Sequence, residues 1–300
     1  MKEYIEIVEV SPRDGLQNEK KILSTVQKLE LINRSIDAGC TRIEVTSFVN
    51  PKRVPQMFDA DEVVKNLPKK RAKNVKFIGL ALNERGFQRA LESKLDIVNY
   101  AIVASDAFSI RNQGATTSYN LKILEKILAD SGNKIETAVT VAASFGCPFD
   151  GEISVSHLLS IIEKIVAMGL KEICLADTIG VATPKDIKTK LRAIGRAFPQ
   201  LKMKLHLHNT RNTGIANAWA GIEEEVIGLE SAFGGSGGCP FAPKATGNIP
   251  TEDLLYMLDR SGIATGISLE KSIETAHWLE KQLEHPLPGL LKTTDKFPPN

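Results

Sequence analysis

No apolar run in this chain approaches the roughly 20 residues needed to span a bilayer. Its opening stretch, Met1-Lys-Glu-Tyr-Ile-Glu-Ile7, enters a strand pattern at once, without an apolar leader or an Arg-rich transit segment. No membrane is expected as a partner, and a cytoplasmic location is the default. Cysteine is scarce: Cys40, Cys147, Cys174 and Cys239 are widely spaced and form no C-x-x-C pair, which excludes a zinc ribbon or a disulfide framework. Charge of one sign is missing too, since 38 basic and 36 acidic residues leave a formal +2 scattered along the chain. Such a balance gives no field for nucleic acid, and a small-molecule substrate fits better.

With 42% hydrophobic residues among 300, the chain can bury a large core. Short β-branched runs alternate with longer amphipathic stretches, the pattern of a parallel sheet covered by helices. Eight strands are predicted, at 4–10, 41–46, 75–82, 96–103, 134–143, 172–176, 203–208 and 226–232. Helical patterns lie between them, for example at 22–38, 120–130, 155–168, 184–198 and 213–225. Pro184 after Thr183 and Gly39 past a helix end act as start and stop signals. Eight units in this length predict an α/β fold, a (β/α)8 TIM barrel, with a doubly wound open sheet as the structural alternative. One barrel domain is expected over 1–300, residues 268–300 adding a C-terminal helix and an irregular tail.

Histidine is also sparse, yet two of the five stand two residues apart in Lys202-Met-Lys-Leu-His-Leu-His208. Residues i and i+2 of a strand share a face, so His206 and His208 point the same way, with Met203, Leu205 and Leu207 opposite. That is half of a metal site, or else a strand with two satisfied histidines. In a barrel, catalytic groups gather at the C-terminal ends of strands. Polar residues do concentrate there: Arg13 and Asp14 after the first strand, Glu44 in the second, Asn83, Ser105-Asp106 and Ser144-Phe-Gly-Cys147 after the next three, Asp177-Thr178 after the sixth. The eighth opens a glycine-rich loop, 234–247, that holds Cys239 and leads to Asn248.

Some of these have plainer readings. Asp14-Gly15 can be turn chemistry, and Asp177-Thr178 a loop and helix cap. Glu44 is harder to set aside, because a carboxylate in an apolar run needs a partner, which Arg13 or a neighbouring strand could supply. Two imidazoles, a carboxylate and the Asn248 amide oxygen make a mixed N/O set that suits Mg²⁺ or Mn²⁺ and is also compatible with Zn²⁺ or Fe²⁺. A cysteine and an arginine beside such an ion supply the parts for moving a proton at carbon. A carbon–carbon lyase is plausible on that ground.

The motifs Ser11-Pro-Arg-Asp-Gly-Leu-Gln-Asn-Glu19, Glu44-Val-Thr-Ser-Phe48, Phe145-Gly-Cys-Pro148, Asp177-Thr-Ile-Gly180, His206-Leu-His208, Gly237-Gly-Cys-Pro240, Gly247-Asn248 and Thr251-Glu-Asp253 occur in a specific order. Together they closely resemble the 3-hydroxy-3-methylglutaryl-CoA lyases, part of the metal-dependent lyase and acyltransferase barrel superfamily. The resemblance implies retro-aldol (Claisen) cleavage of an acyl-CoA thioester to acetyl-CoA and acetoacetate, and a homodimer. It implies Asp14, His206, His208 and Asn248 as ligands of Mg²⁺ or Mn²⁺, and Arg13 as stabiliser of the thioester enolate. Cys239 would help close the site and transfer a proton, and His206, Glu44 or Asp177 would support the metal and the proton path.

The chain departs from that pattern after the second histidine, where Asn209-Thr-Arg-Asn212 replaces the usual Asp and Thr-x-Gly. Ser236 stands where leucine is usual and Lys244 where glycine is common. The lost charge at Asn209 is expected to act on the metal or on His208. Two further functions are carried forward: an acetyl-CoA-dependent 2-oxoacid acyltransferase of the isopropylmalate- or citramalate-synthase type, and a non-catalytic barrel.

Overall fold

The computed structural model describes residues 3–69, 74–132, 134–238, 247–295 and 297. Eight parallel strands close into a barrel in chain order: β1 (Glu6–Glu9), β2 (Arg42–Ser47), β3 (Lys76–Ala81), β4 (Ile97–Val103), β5 (Glu136–Ala142), β6 (Glu172–Asp177), β7 (Lys202–Leu207) and β8 (Gly228–Ser231). The last pairs back onto the first, from Glu6↔Gly228 to Glu9↔Ser231, so the sheet has no edge. The expected (β/α)8 barrel is the fold. Strand ends differ from the sequence-based ones by at most two residues, in either direction.

Helices α1 (Thr25–Ala38), α2 (Ala60–Lys65), α3 (Glu84–Leu91), α4 (Asp106–Gln113), α5 (Thr117–Ser131), α6 (Val155–Ala167), α7 (Pro184–Ala197), α8 (Gly214–Glu223), α9 (Thr251–Arg260) and α10 (Leu269–Leu283) surround it. The first starts at Thr25 and not at Ile22, since Ser24 and Gln27 form a capping box: each side chain accepts the other's backbone N–H, at 3.3 and 2.9 Å. In α7, Pro184 does occupy the first turn, and Asp186 accepts the N–H and hydroxyl of Thr183 at 2.9 and 2.7 Å. The α4 helix lies in a stretch whose polar residues suggested only a rim, and Ser105 caps it by accepting the N–H of Phe108 at 3.2 Å.

Alternation divides each strand between two layers. Outward residues such as Ile43, Val45, Ile173, Leu175, Leu205 and Leu207 are buried in the main apolar core beneath the helices. Inward residues are more polar. At the floor, Arg42 pairs with Glu6, Glu136 and Glu172 at 3.2, 3.5 and 3.1 Å, and Lys204 with Glu6 and Glu172 at 2.7 and 2.8 Å. Val8, Val10, Ile78, Ile97 and Ala232 form a small apolar cluster of their own, separate from the main core.

One turn bears directly on stability. Gly39 ends α1 at φ +104°, and a Cβ there would sit 2.4 Å from the Gly266 carbonyl oxygen, whereas Gly114 ends α4 at φ +78° in open space. Both prefer glycine, but only the first adds a clash with backbone. Gly39→Ala is expected to lose well over about 1 kcal/mol and Gly114→Ala closer to that value; urea midpoints at unchanged m-value give the ranking, and equal losses would contradict it.

Candidate active site

Past β1 the chain makes a single π-helical turn, Ser11–Gly15, a local form that often marks functional positions. Glu9 holds this turn from below: its carboxylate accepts the backbone N–H and hydroxyl of Ser11 at 2.8 and 2.5 Å and the Thr251 hydroxyl at 2.7 Å. Full burial raises Glu9 to about 7, against the pull of those donors. The turn carries Arg13 and Asp14 over the barrel mouth. Arg13 donates Nε to Glu44 Oε2 at 2.6 Å and Nη1 to Asp14 Oδ1 at 2.5 Å, and its Nη2 also meets Glu44. Thus the partner expected for Glu44 is the arginine.

The two imidazoles face into the barrel, as their spacing requires. His206 Nε2 and His208 Nε2 are 3.1 Å apart, and each lies 3.9 Å from Asp14 Oδ2. These three residues offer ligand atoms all within 4.8 Å of one another. Asn248 is seated beside them by an antiparallel bridge to His208. Its Nδ2 donates to Asp14 Oδ2 at 2.9 Å and to the Ser236 carbonyl at 3.1 Å, while its Oδ1 is buried and has no partner among the described residues.

A divalent cation fits this set on two counts. Two imidazole nitrogens facing at 3.1 Å repel unless a proton or cation lies between them, and an orphaned amide oxygen costs free energy unless something positive meets it. The donors are also of the right hardness.

Electrostatics prepares the same groups. Burial alone would raise Asp14, but Arg13, then His206, His208 and the Asn248 amide, hold it well below the usual carboxylate range. Burial opposes charge on His206 as well, and the hydrogen bond to Glu230 overcomes it, so its pKa is raised. His208 falls to about 4 through burial and its charged neighbour. Glu44 rises to about 7 through burial, the Arg13 attraction being partly offset by repulsion from Glu230 and Asp14. The asymmetry leaves one imidazole basic and the other neutral.

Glu230 was not foreseen. It lies on β8 with Oε2 at 2.8 Å from His206 Nδ1, which frees Nε2 to face the cation site. The signal was available, since a carboxylate within Gly228-Leu-Glu-Ser231 poses the same question as Glu44 in its strand.

Other residues are placed differently from expectation. Asp177 lies on the outward face of β6, where its two oxygens accept the N–H groups of Val181 and Ala182, both at 2.9 Å. Its carboxylate holds the β6 loop and is not among the groups lining the mouth, so the plainer reading applies. Asn209, too, turns away from the cation site: its Oδ1 accepts the Gly214 N–H at 3.0 Å, at the start of α8, so the missing charge falls on a helix cap and not on the metal ligands. Ser236 is buried, its hydroxyl packed against Gly15 and without a partner among the described residues. Asn212 adopts the left-handed region, φ +57°, that asparagine tolerates. Cys239 and Lys244 lie outside the described residues.

Beside these groups is a cavity of about 130 Å³, walled by Arg13, Asp14, His206 and His208 on one side and by Leu80, Leu82, Ala101 and Phe108 on another. A closed barrel with a carboxylate, two imidazoles and a free amide oxygen beside a buried arginine has the constitution of a metal-assisted enzyme. The HMGL-like family model matches residues 4–279, and the chain belongs to the HMGL-like family of lyases. It is 40% identical over 298 residues to an (R)-citramalyl-CoA lyase of Chloroflexus aurantiacus, covering 96% of this chain and 94% of that one. It is 36% identical over 286 residues to a hydroxymethylglutaryl-CoA lyase of Bacillus subtilis, covering 95% of each. A solved HMG-CoA lyase of Acinetobacter baumannii, in complex with coenzyme A and 3-methylmalate, superposes with a TM-score of 0.94 at 36% identity, over 99% of this chain and 96% of that one. Lyases of this family generally depend on a divalent metal, in keeping with the Asp14, His206 and His208 cluster.

Because Glu230 fixes the ring and basicity of His206, Glu230→Gln is expected to weaken Mn²⁺ binding by about 10- to 100-fold with the fold retained. Isothermal titration with MnCl2 measures it; wild-type affinity would leave Glu230 with a packing role only.

Proposed function

We propose that this protein cleaves the C2–C3 bond of a 3-hydroxy-3-methyl acyl-CoA thioester bearing one free carboxylate, with 3-hydroxy-3-methylglutaryl-CoA as substrate. The observation that carries the reading is the juxtaposition of Arg13 with Asp14, His206 and His208 in one cavity, with Asn248 bonded to Asp14 behind them. Relatives and a structural neighbour named for the same chemistry support it.

Asp14, His206, His208 and the Asn248 oxygen would hold Mg²⁺ or Mn²⁺, which when bound supplies Lewis acidity toward a hydroxyl oxygen. Arg13 meets the negative charge that develops on the thioester oxygen as the bond breaks. Glu44 and Asp14 keep that guanidinium from swinging out of the mouth. We assign removal of the hydroxyl proton to the His206–Glu230 pair in preference to Asp177, whose oxygens are already taken. The C3 carbon becomes a ketone, the bonding pair passes to C2, and protonation there gives acetyl-CoA. Cys239 is proposed as that proton donor, following the family pattern. A cytoplasmic homodimer goes with the same pattern.

A second reading is favoured by the similarity to an (R)-citramalyl-CoA lyase. That substrate carries its carboxylate directly on C3, and the same bond cleavage yields pyruvate in place of acetoacetate. Among the described residues Arg13 is the sole permanent cation lining the cavity, and a shorter acyl arm fits about 130 Å³ readily. Acetyl-CoA release from the two thioesters, with acetoacetate and pyruvate assayed separately, decides between them. Release from neither would defeat the lyase proposal.

Arg13→Met is expected to fold and to lower kcat by about 100- to 1,000-fold with a small change in KM, because its charge matters most in the transition state. A kcat near wild type would remove Arg13 from the mechanism.

A further inference from the structure

Two parts of the molecule not used above, Glu252 and the segment after α10, converge on the turn Phe233–Gly235 that follows β8. Gly234 and Gly235 adopt φ of +68° and +70° there. The Gly234 N–H donates to Glu252 Oε2 at 3.0 Å, and the Gly234 carbonyl accepts the Gly289 N–H at 2.8 Å. Residues 287–289 pack against the turn, since a Cβ on Gly234 would be 2.5 Å from Leu287 and one on Gly235 3.2 Å from Pro288. Asp253 pins the next residues to α9 by accepting the N–H groups of Leu290 and Leu291 at 3.0 and 2.8 Å.

The opposite side of the same turn faces the cation site. Ser236, immediately after it, offers one carbonyl to both the side-chain and the backbone N–H of Asn248, at 3.1 and 3.4 Å. This matters because a primary amide can rotate by half a turn and exchange its oxygen for its nitrogen. Only the oxygen can ligate. Nδ2 has two acceptors, Ser236 O and Asp14 Oδ2, and losing the first removes half of what opposes the exchange.

We infer that Glu252 and the tail segment 287–289 are positioning elements for Asn248, clamping the 233–236 turn so that the Ser236 carbonyl holds the amide nitrogen and aims Oδ1 at the cation. The inference rests on the cation-site reading given above. It predicts that damage to a clamp remote from any ligand is felt as lost metal affinity as well as lost stability. Glu252→Ala removes the acceptor for Gly234, and Gly289→Ala puts a Cβ 2.3 Å from Glu252 Oε1. Glu252→Gln keeps an oxygen for the Gly234 N–H.

The test is Mn²⁺ affinity by electron paramagnetic resonance without substrate, alongside the Tm of each metal-free protein, for these three variants and for Asn248→Ala. Glu252→Ala and Gly289→Ala should bind Mn²⁺ about tenfold more weakly, and Glu252→Gln should restore binding. Wild-type Mn²⁺ affinity in both alanine variants, with only Tm lowered, would overturn the inference while leaving the site intact. Should Glu252→Ala not fold, Gly289→Ala decides alone. Failure of the wild-type protein to bind Mn²⁺, or undiminished binding by Asn248→Ala, would defeat the cation site and this inference with it.

Discussion

A guanidinium buried at the barrel mouth and clamped by two carboxylates is the constraint around which the site is arranged. Arg13 is only 7% exposed, so its charge must be met inside the protein, and Glu44 and Asp14 meet it from β2 and from its own turn. Deleting one partner of such a cluster leaves a buried charge uncompensated, which typically costs about 3–5 kcal/mol. The arrangement serves chemistry as well as folding. Attraction to Arg13 keeps Asp14 ionised despite burial, and among the described residues Asp14 is the carboxylate placed to share a cation with both imidazoles. Glu44, raised to about 7 by burial and then by repulsion from Glu230 and Asp14, can carry a proton where two full negative charges would be costly.

Barrel closure makes the site possible. Asp14 follows the first strand, the imidazoles belong to the seventh and its end, and Glu230 lies on the eighth. These come together because β8 pairs with β1, and because the 247–250 segment adds bridges to both His208 and Ala232. Contacts this distant in sequence form late and slowly in folding. The constellation is therefore a property of the finished barrel and of none of its βα units separately.

Much of this could be seen in the chain before folding was considered. The two-residue spacing of His206 and His208 within an alternating run determines that both rings face inward, and Glu44 in an apolar strand implies a partner. What could not be seen concerns parity at strand ends and the choice among hydrogen-bond acceptors. Asp177 stands one position beyond an inward-facing residue, Ala176, and so is turned outward to serve a loop. At the ends of β3 and β4, Asn83 and Ser105 look like rim chemistry but cap α3 and α4. Glu230 escaped notice because its strand is only four residues long and precedes a more conspicuous glycine-rich stretch. Asn209 shows the limit of reading charge alone: the bond it makes to Gly214 needs an oxygen, which an amide supplies as well as a carboxylate.

The ionic floor has a bearing on how the barrel finds its pairing. Glu6, Arg42, Glu136, Glu172 and Lys204 come from five different strands and pair with one another only when all five present the same face to the axis. A slip of one residue in any of them would rotate its charge into the oily layer under the helices. The base of the molecule thus penalises misaligned staves, favouring the one ring closure in which every charge finds a partner.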